Sequence, residues 1–383
     1  MNTPTVKKSS TESITHLLSI IQPPASTDAS GRSLHSTIPA FRLIDGQLGQ
    51  VKKLIKSQLT APAKTPYINQ LLEYVNARSG KMIRPGLVLL AGASCGKITG
   101  EHVRVAAIIE MIHNTTLLHD DVIDEGRTRR GLPTINSVWG NQSAVLLGDF
   151  LLSRVFKMCS DLEPWIARVI SAAAVRVCEG ELRQITQRQN WQISEPQYID
   201  IITEKTAVLF GCCCHLGGLL SRASQTEAQA LADFGLNAGI AFQITDDLLD
   251  IIGDEGKTGK TLGSDADKNK LTLAVIHLLK VTDEKERATI INSYLGNSQT
   301  YPEQDRTRDE ISPLSRGQAC PCGSRGTRDE LAELLNRHGS LEYACGQANR
   351  FAAKAIQALA KFKDSAAKNA LIETAEFMAS RTT

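Results

Sequence analysis

The sequence predicts an all-α fold, and three observations support this class. Apolar residues recur at steps of three and four through most of the chain, which is the spacing that buries one face of a helix. No segment shows the sustained alternation of apolar and polar residues that is typical of strands. Glycine, proline and capping residues divide the chain into segments of helix length. The 383 residues are enough for one large domain or two ordinary ones.

The composition narrows the functional classes. The 43 basic and 41 acidic side chains leave a net charge of +2, so nothing indicates a nucleic-acid binder. No uninterrupted apolar stretch reaches the roughly 18 residues of a membrane span. Nine cysteines, three of them consecutive at 212–214, indicate reduced thiols in a cytoplasmic protein. Cys320-Pro321-Cys322 lacks a second pair at metal-ligand spacing, so a redox pair, half a metal site and a chance loop feature all stay open.

Residues 1–38 are predicted to be a disordered extension, because they are rich in Ser, Thr and Pro with only scattered apolar positions. An organellar transit peptide is the alternative, although no continuous Arg-rich amphipathic helix is visible. Residues 39–383 are predicted to form a single domain. It starts with an amphipathic helix whose apolar positions are Phe41, Ile44, Leu48, Val51, Ile55 and Leu59.

A second helix runs through Val75, and an apolar helix over 86–93 follows Lys81-Met82-Ile83-Arg84-Pro85. Backbone N–H groups at a helix start favour an anion, so Lys81 and Arg84 could bind phosphate. An ordinary pair of surface cations is an equally good interpretation of this segment alone.

The next helix, over 103–124, ends in the first acidic motif, Asp120-Asp121-Val122-Ile123-Asp124. Residues four apart share a helix face, so Asp120 and Asp124 point the same way. The flanking residues are apolar, which argues against a solvated acidic turn. Carboxylates that converge in an apolar-walled site repel each other unless cations lie between them, and oxygen ligands suit Mg²⁺ shared with substrate phosphates. Arg129 and Arg130 follow at once, either to neutralise the motif or to bind phosphate.

Helices are predicted over 144–158, 166–187 and 198–220, the last with Lys205-Thr206 inside an apolar run. A helix over 231–252 carries Gln243 and the second acidic motif, Asp246-Asp247-Leu248-Leu249-Asp250, in which Asp246 and Asp250 share a face. The loop over 253–267, rich in Gly, Lys and Asp, is a candidate mobile lid that leads to Lys270.

Residues 281 to about 326 lose the apolar periodicity, which predicts a polar insertion or flexible loop. A capping box from Thr327 to Glu330 starts helix again. Gly339 ends that helix, and helices over 340–362 and 365–381 complete the chain.

These motifs resemble those of the trans-isoprenyl diphosphate synthases. The resemblance is greatest to the long-chain polyprenyl diphosphate synthases of the octaprenyl, solanesyl and decaprenyl type, which make quinone side chains. It spans about residues 40–381 and rests on Gly80-Lys81-Met82-Ile83-Arg84-Pro85, His113 with the first acidic motif, Arg129-Arg130-Gly131, Lys205-Thr206, Phe242-Gln243 with the second acidic motif, and Gly259-Lys260 with Lys270. It implies a bundle of roughly 10 to 13 helices around a central cavity. It also implies a homodimer and about three Mg²⁺ at the cavity mouth.

The resemblance implies a role for each site residue. Those that would bind the diphosphate of isopentenyl diphosphate are Lys81, Arg84, His113 and Arg130. Those that would bind the allylic diphosphate are Arg129, Lys205, Thr206, Gln243 and Lys260, with Lys270 assigned to substrate more weakly. The principal metal ligands would be Asp120, Asp124 and Asp246, which together with Lys205 carry the catalysis, while Asp121, Asp247 and Asp250 would assist.

The implied reaction joins isopentenyl diphosphate head to tail (1'-4) to an allylic diphosphate such as farnesyl or geranylgeranyl diphosphate. The diphosphate leaves carbon readily only if its growing charge is neutralised, which metal ions and a Lys/Arg clamp do. The double bond of isopentenyl diphosphate then attacks the allylic cation, and a proton is lost to the released pyrophosphate. Apolar walls keep water from quenching the cation.

Product length is predicted from the helix that precedes the first acidic motif. In the resembling family, short-chain enzymes often carry an aromatic residue four or five positions before the first aspartate, where this chain has Thr116 and Thr115. The next positions down the helix are Ile112, Met111 and Ile108. Without an aromatic floor, a long polyprenyl product is favoured, and geranylgeranyl diphosphate is the alternative.

Three rival classes stay open at this stage. A terpene cyclase normally carries a different second metal motif, whereas this chain has two similar ones. A metal phosphohydrolase built on His119-Asp120 and His113 would leave the second acidic motif without a role. A catalytically silent partner subunit of a heteromeric synthase usually lacks one acidic motif. Ala274 departs from the family, which usually has proline there, and could loosen that helix start.

Overall fold

A computed structural model describes residues 38–60, 65–76, 80–253, 270–295 and 327–380. Several predictions therefore lie outside the described residues. These are the extension up to residue 37, the lid beyond Gly253 with Lys260, residues 296–326 of the insertion, and Cys320-Pro321-Cys322.

The all-α prediction is confirmed. A short 3₁₀ helix, Pro39–Ile44, precedes the first α-helix. The α-helices are α1 Asp45–Thr60, α2 Pro66–Asn76, α3 Ile83–Cys95, α4 Gly100–Ile123, α5 Ile135–Trp139, α6 Asn141–Cys159, α7 Pro164–Thr186, α8 Glu195–Ile202, α9 Val208–Leu220, α10 Gln225–Ile252, α11 Leu273–Val281, α12 Glu284–Ile290, α13 Arg328–Arg337, α14 Ser340–Ala358 and α15 Ala366–Ser380. Two-residue strands, β1 Thr128–Arg129 and β2 Leu132–Pro133, pair as a hairpin after α4.

The long helix α10 lies inside the bundle and positions the second acidic motif. It packs against α9 on one side and α14 on another, and the end of α15 also contacts it. A hydrogen bond of 3.2 Å from Thr245 Oγ1 to the Ala379 carbonyl joins α10 to α15 next to the motif. On the other side of the site, α4 packs against α3 and α6. Both acidic motifs therefore stand on helices that neighbours hold from more than one direction.

The predicted apolar face at the start of the domain is confirmed. All six of its residues are buried, although the first two belong to the 3₁₀ helix and the other four to α1. The predicted helix over 198–220 is divided by a π-helical turn, Thr203–Ala207. Helix α10 begins at Gln225, six residues before the predicted start, because Ser224 and Glu227 form a capping box.

The first part of the segment predicted to be a polar insertion or flexible loop is helical, so the loop alternative is wrong there. Helix α12 and a π-helical turn, Ile291–Leu295, occupy it. The Asp283 side chain caps α12 by accepting a hydrogen bond from the Glu286 N–H, and Ile290 is buried. A helix with a single buried anchor produces no periodicity that the sequence could reveal.

No helix among the described residues combines the length and the apolar character that crossing a membrane requires.

Candidate active site

The first acidic motif stands at the C-terminal end of α4, and its three carboxylates differ in their surroundings. Asp120 and Asp124 are partly exposed, whereas Asp121 is only 3% exposed. Asp121 Oδ1 accepts a hydrogen bond of 2.7 Å from Arg129 Nε, and Asp124 Oδ1 accepts one of 3.0 Å from Arg188 Nη2. The middle carboxylate therefore anchors a predicted substrate-binding arginine.

The second acidic motif on α10 repeats this arrangement. Asp246 and Asp250 are partly exposed, and Asp247 is 3% exposed. Asp247 Oδ1 accepts from Gln243 Nε2 at 2.8 Å and from Lys270 Nζ at 3.1 Å, while Oδ2 accepts from the Tyr198 hydroxyl at 2.7 Å. Successive helix residues differ by about 100° in direction, which separates the middle aspartate from the i, i+4 pair.

Lys205 and Thr206 lie in the π-helical turn between α8 and α9, and they connect the two motifs. Lys205 lies close enough to Asp120 to lower the pKa of that carboxyl. The Thr206 hydroxyl donates to Gln243 Oε1 at 2.8 Å, and Gln243 in turn donates to Asp247. Single π-helical turns inside helices are frequent at functional sites. Here the turn directs adjacent side chains to the two acidic motifs.

Helix α7 holds this turn in place. Lys205 Nζ pairs with Glu181 Oε2 at 2.5 Å and donates to Gln184 Oε1 at 2.6 Å. Arg176 donates twice to the Glu204 carboxylate, at 2.8 and 2.9 Å. Gly180 allows the close crossing, because a Cβ there would lie 2.3 Å from the Lys205 backbone nitrogen. Three side chains and one glycine of α7 thus set the position of Lys205.

Burial, with smaller contributions from the Glu181 and Asp124 carboxylates, raises the pKa of Asp120 to about 6. Lys205 and Arg129 act in the opposite direction but do not offset the burial. A bound cation stabilises the ionised form of a carboxylate in this environment, because it compensates a negative charge that water hydrates poorly.

A second group of cations surrounds Glu110, which is fully buried on α4. Burial raises the pKa of Glu110, and the nearby Arg84 and Arg130 guanidinium groups lower it. The Arg84 guanidinium also lies 4.4 Å from the centre of the Phe210 ring. Arg130 lies against Gly80, where a Cβ would be 2.8 Å from its Nη2. The predicted residues Arg84 and Arg130 are therefore brought together.

The hairpin after α4 explains how adjacent arginines reach different places. Arg129 pairs with Leu132, so Arg130 and Gly131 form a two-residue loop, and both have positive φ, 53° and 74°. Positive φ at both loop positions is the geometry of a type I′ turn. Arg129 on the strand turns to Asp121, while Arg130 in the loop turns to Gly80 and Glu110.

Two histidines of the sequence analysis have different surroundings. His113 is partly exposed one turn after Glu110, on the same side of α4. His119 Nε2 instead lies 3.2 Å from the Val145 carbonyl and 3.5 Å from Asp149 Oδ1, both on α6. Its ring is directed at α6, which gives no support to a phosphohydrolase centre built on His119-Asp120.

The predicted chain-length residues form one segment of α4. Ile108, Met111, Ile112 and Thr115 are buried, and Thr116 is partly exposed with its hydroxyl donating to the His113 carbonyl. Within the described ranges, Thr115 Oγ1 is a buried oxygen without a hydrogen-bond partner. A buried hydroxyl without a hydrogen-bond partner stabilises the fold no more than an apolar group of the same size would.

The donor set fits a hard cation that is shared with a ligand. Each acidic motif offers an i, i+4 pair of carboxylates, and oxygen is the ligand that Mg²⁺ prefers. Across the part of the chain that the structure describes, no three His, Cys, Asp or Glu side chains converge into a site for a metal ion. Mg²⁺ commonly completes such a partial set with waters and substrate phosphates.

The sequence analysis missed several site residues: Glu110, Glu181, Gln184, Arg188 and Tyr198. None belongs to a motif with recognisable spacing: Glu110 lies within the apolar part of α4, and the other four reach the site from α7, α8 or the loop between them. Only Glu181 and Gln184 carried a usable signal, since they lie three apart on the face of α7 that meets Lys205.

The known proteins similar to this chain include polyprenyl diphosphate synthases. The profile of the family described as "Polyprenyl synthetase" matches residues 65–311. The chain is 36% identical over 315 residues to octaprenyl diphosphate synthase of Escherichia coli K12, covering 82% of this chain and 90% of that protein.

Two solved structures are similar over most of the chain. One is a polyprenyl synthase from Caulobacter crescentus complexed with calcium and isoprenyl diphosphate. It has a TM-score of 0.79 and 29% identity, over 90% of this chain and 97% of that one. The other is a decaprenyl diphosphate synthase from Rhodobacter capsulatus, with a TM-score of 0.76 and 33% identity, over 90% and 98%.

Proposed function

The chain belongs to the polyprenyl synthetase family and is a trans-prenyltransferase, and we propose that it makes a long all-trans polyprenyl diphosphate with Mg²⁺. The observation that carries the proposal is the π-helical turn between α8 and α9. There Lys205 faces the first acidic motif, and Thr206 is linked through Gln243 to the second. A diphosphate between the two motifs would meet a cation, a hydroxyl and an amide that are already in position.

We assign the allylic diphosphate to Arg129, Lys205, Thr206 and Gln243, together with Lys260 and Lys270. The second substrate, isopentenyl diphosphate, is assigned to Arg84 and Arg130 with Lys81 and His113. The separation of two cation groups, one around Asp120 and one around Glu110, supports two diphosphate sites rather than one.

Metal would be held by Asp120 and Asp124 at one motif and by Asp246 and Asp250 at the other. Bound Mg²⁺ would neutralise the charge that develops on the departing diphosphate. Arg129 and Lys205 would add to that neutralisation from the protein side. Asp121 and Asp247 support the site in a different way, because their carboxylates hold Arg129, Gln243 and Lys270.

The proposed product is long because Thr115 and Thr116 stand where an aromatic floor would otherwise block the growing tail. Use of the product for quinone side chains and a cytoplasmic location belong to the same proposal. The thiols of Cys212, Cys213 and Cys214 are buried without disulfides, as expected in a reducing compartment.

A homodimer is also part of the proposal. Large apolar side chains are more than half exposed on two helices: Leu146 and Phe156 on α6, Val175 and Leu182 on α7. Exposed apolar surface of this kind is typical of a protein–protein interface. The isologous contact of a twofold dimer would bury it against a second copy.

The test is incubation of the purified protein with Mg²⁺, radiolabelled isopentenyl diphosphate and either farnesyl or geranylgeranyl diphosphate, followed by chain-length analysis of the dephosphorylated products. Products well beyond twenty carbons are expected, with loss of incorporation after chelation. A single twenty-carbon product would replace the long-chain assignment with geranylgeranyl synthesis. Absence of incorporation would favour the silent partner subunit.

A further inference from the structure

Tyr198 on α8 carries a hydroxyl that points into the second acidic motif. The side chain is 2% exposed, and its hydroxyl donates to Asp247 Oδ2 at 2.7 Å. Asp247 is equally inaccessible, so this donor replaces water that the carboxylate cannot reach. Hydrogen bonds to an ionised acceptor are about twice as strong as those between neutral groups.

The carboxylate that Tyr198 holds sets the direction of an amide. Thr206 Oγ1 donates to Gln243 Oε1, and Gln243 Nε2 donates to Asp247 Oδ1. These contacts define which end of the amide is oxygen and which is nitrogen. With the amide reversed, its oxygen would face the carboxylate of Asp247, and two acceptors would repel each other.

The amide nitrogen has two N–H bonds, and the bond to Asp247 uses one of them. The second is the group that Gln243 can offer to an anion. It keeps its direction only while the Asp247 carboxylate does not rotate. Gln243 and Lys270 hold Oδ1 from one side, and Tyr198 holds Oδ2 from the other.

We infer that Tyr198 is a positioning residue for the allylic diphosphate, because its hydroxyl fixes Asp247 and thereby the amide of Gln243. This inference rests on the proposed function. Tyr198 does not touch the diphosphate itself. Its removal leaves the cations around Glu110 unchanged, so the effect falls on one substrate only.

A matched control is a second tyrosine hydroxyl that donates to a carboxylate on the helix of Tyr198. The Tyr343 hydroxyl donates to Glu195 Oε2 at 2.6 Å, and Glu195 lies one turn before Tyr198 on α8. Tyr343→Phe therefore removes a similar tyrosine–carboxylate bond from α8 without changing the second acidic motif.

The first measurement is of binding, which does not require turnover, and the KM for isopentenyl diphosphate is measured separately. The full-length protein with Mg²⁺ is titrated calorimetrically with farnesyl thiolodiphosphate, a diphosphate analogue that resists ionisation. We expect Tyr198→Phe to weaken binding about tenfold. Tyr343→Phe should stay within about twofold, and so should the KM for isopentenyl diphosphate in both variants.

A double-mutant cycle separates positioning from general damage. If Tyr198 acts through Gln243, the double variant should bind the analogue less than about twofold more weakly than Gln243→Ala alone does. Equal binding by Tyr198→Phe and the parent protein would overturn the inference while leaving the proposed function intact. The same holds if the two losses multiply, or if Tyr198→Phe fails to fold when Tyr343→Phe folds. A parent protein that binds no analogue would overturn the inference and the proposed function together.

Discussion

At the scale of single residues, the two acidic motifs assign different tasks to neighbouring carboxylates. Asp120 and Asp124, like Asp246 and Asp250, remain partly exposed, whereas the aspartate second in each motif is buried against donors. The reason is geometric, because a residue one step along a helix points about 100° away from its predecessor. The same motif can therefore offer both the carboxylates proposed as metal ligands and anchors for the cations proposed to bind substrate.

The environment of Asp120 predicts a pH-dependent stability. Its folded-state pKa of about 6 lies above the usual value of an aspartate, so ionisation of this group opposes folding. The cost is absent below about pH 4, where the unfolded chain is also protonated, and it is fully present above about pH 6. Asp120→Asn should therefore raise the melting temperature of the metal-free protein at pH 7.5.

That gain should shrink as the pH falls from 6 toward 4, which thermal melts across this range would reveal. Asp161→Asn is the control, because that carboxylate is exposed just after α6. A gain that is the same at pH 4 and pH 7.5 would contradict the account of Asp120. The variant should also lose Mg²⁺-dependent turnover, since the amide is a weaker metal ligand than a carboxylate.

Thr115 gives a prediction about product length. Thr115→Phe places an aromatic ring on α4 five residues before Asp120 and should shorten the products. Thr115→Val is the control, because it removes only the hydroxyl that has no hydrogen-bond partner in the described ranges. It should leave both the products and the stability nearly unchanged. An unchanged product ladder in Thr115→Phe, measured with radiolabelled isopentenyl diphosphate, would show that this helix does not set length.

At the scale of elements, the contact between α7 and the π-helical turn is tightly constrained. The turn shifts the phase of the helix at Lys205, and α7 crosses it so closely that a Cβ at Gly180 would lie 2.3 Å from the Lys205 backbone nitrogen and 2.8 Å from the Glu204 backbone carbonyl carbon. Backbone cannot move aside as the end of a flexible side chain can. The position of Lys205 thus depends on a residue that carries no functional group.

Gly180→Ala should displace α7 from the turn and lower both stability and affinity for the allylic diphosphate. Overpacking of a tight contact costs about 1 to 3 kcal/mol. Gly346→Ala on α14 is the matched control, since a Cβ there meets nothing within 4 Å. In a helix this change should stabilise by roughly 0.5 to 1 kcal/mol. Equal melting temperatures and equal substrate KM values for the two variants would contradict the role of the crossing.

At the scale of the whole molecule, the exposed apolar side chains on α6 and α7 concern assembly. Both helices also contact the site, since α6 packs on α4 and α7 holds Lys205. A dimer formed through them would stabilise the elements that carry the first acidic motif and its lysine. A substitution that prevents dimer formation through these helices should then also lower the activity.

Phe156→Glu places a charge in the proposed interface and should convert the dimer into monomers at micromolar concentration. Leu43→Glu is the control, because Leu43 is a similarly exposed apolar residue on the 3₁₀ helix. Size-exclusion chromatography with light scattering measures the mass of each species. A monomeric parent protein, or a dimeric Phe156→Glu variant, would refute the assignment of this surface.

The sequence by itself determined the fold class, the helices that carry the motifs and the pairing of Asp120 with Asp124 and of Asp246 with Asp250. These features follow from helical periodicity and from i, i+4 spacing, which are local properties of the chain. The resemblance to known synthases added the substrates and the residues expected to bind them.

Only the tertiary structure decided which groups meet across the site. In the structure Glu181 and Gln184 contact Lys205, Arg188 donates to Asp124, and Tyr198 donates to Asp247. It also introduced the π-helical turn and separated Arg129 from Arg130 through the hairpin. The physical reason is that these contacts join residues far apart in the chain. Their geometry depends on how helices cross, and no local pattern of residues specifies a crossing.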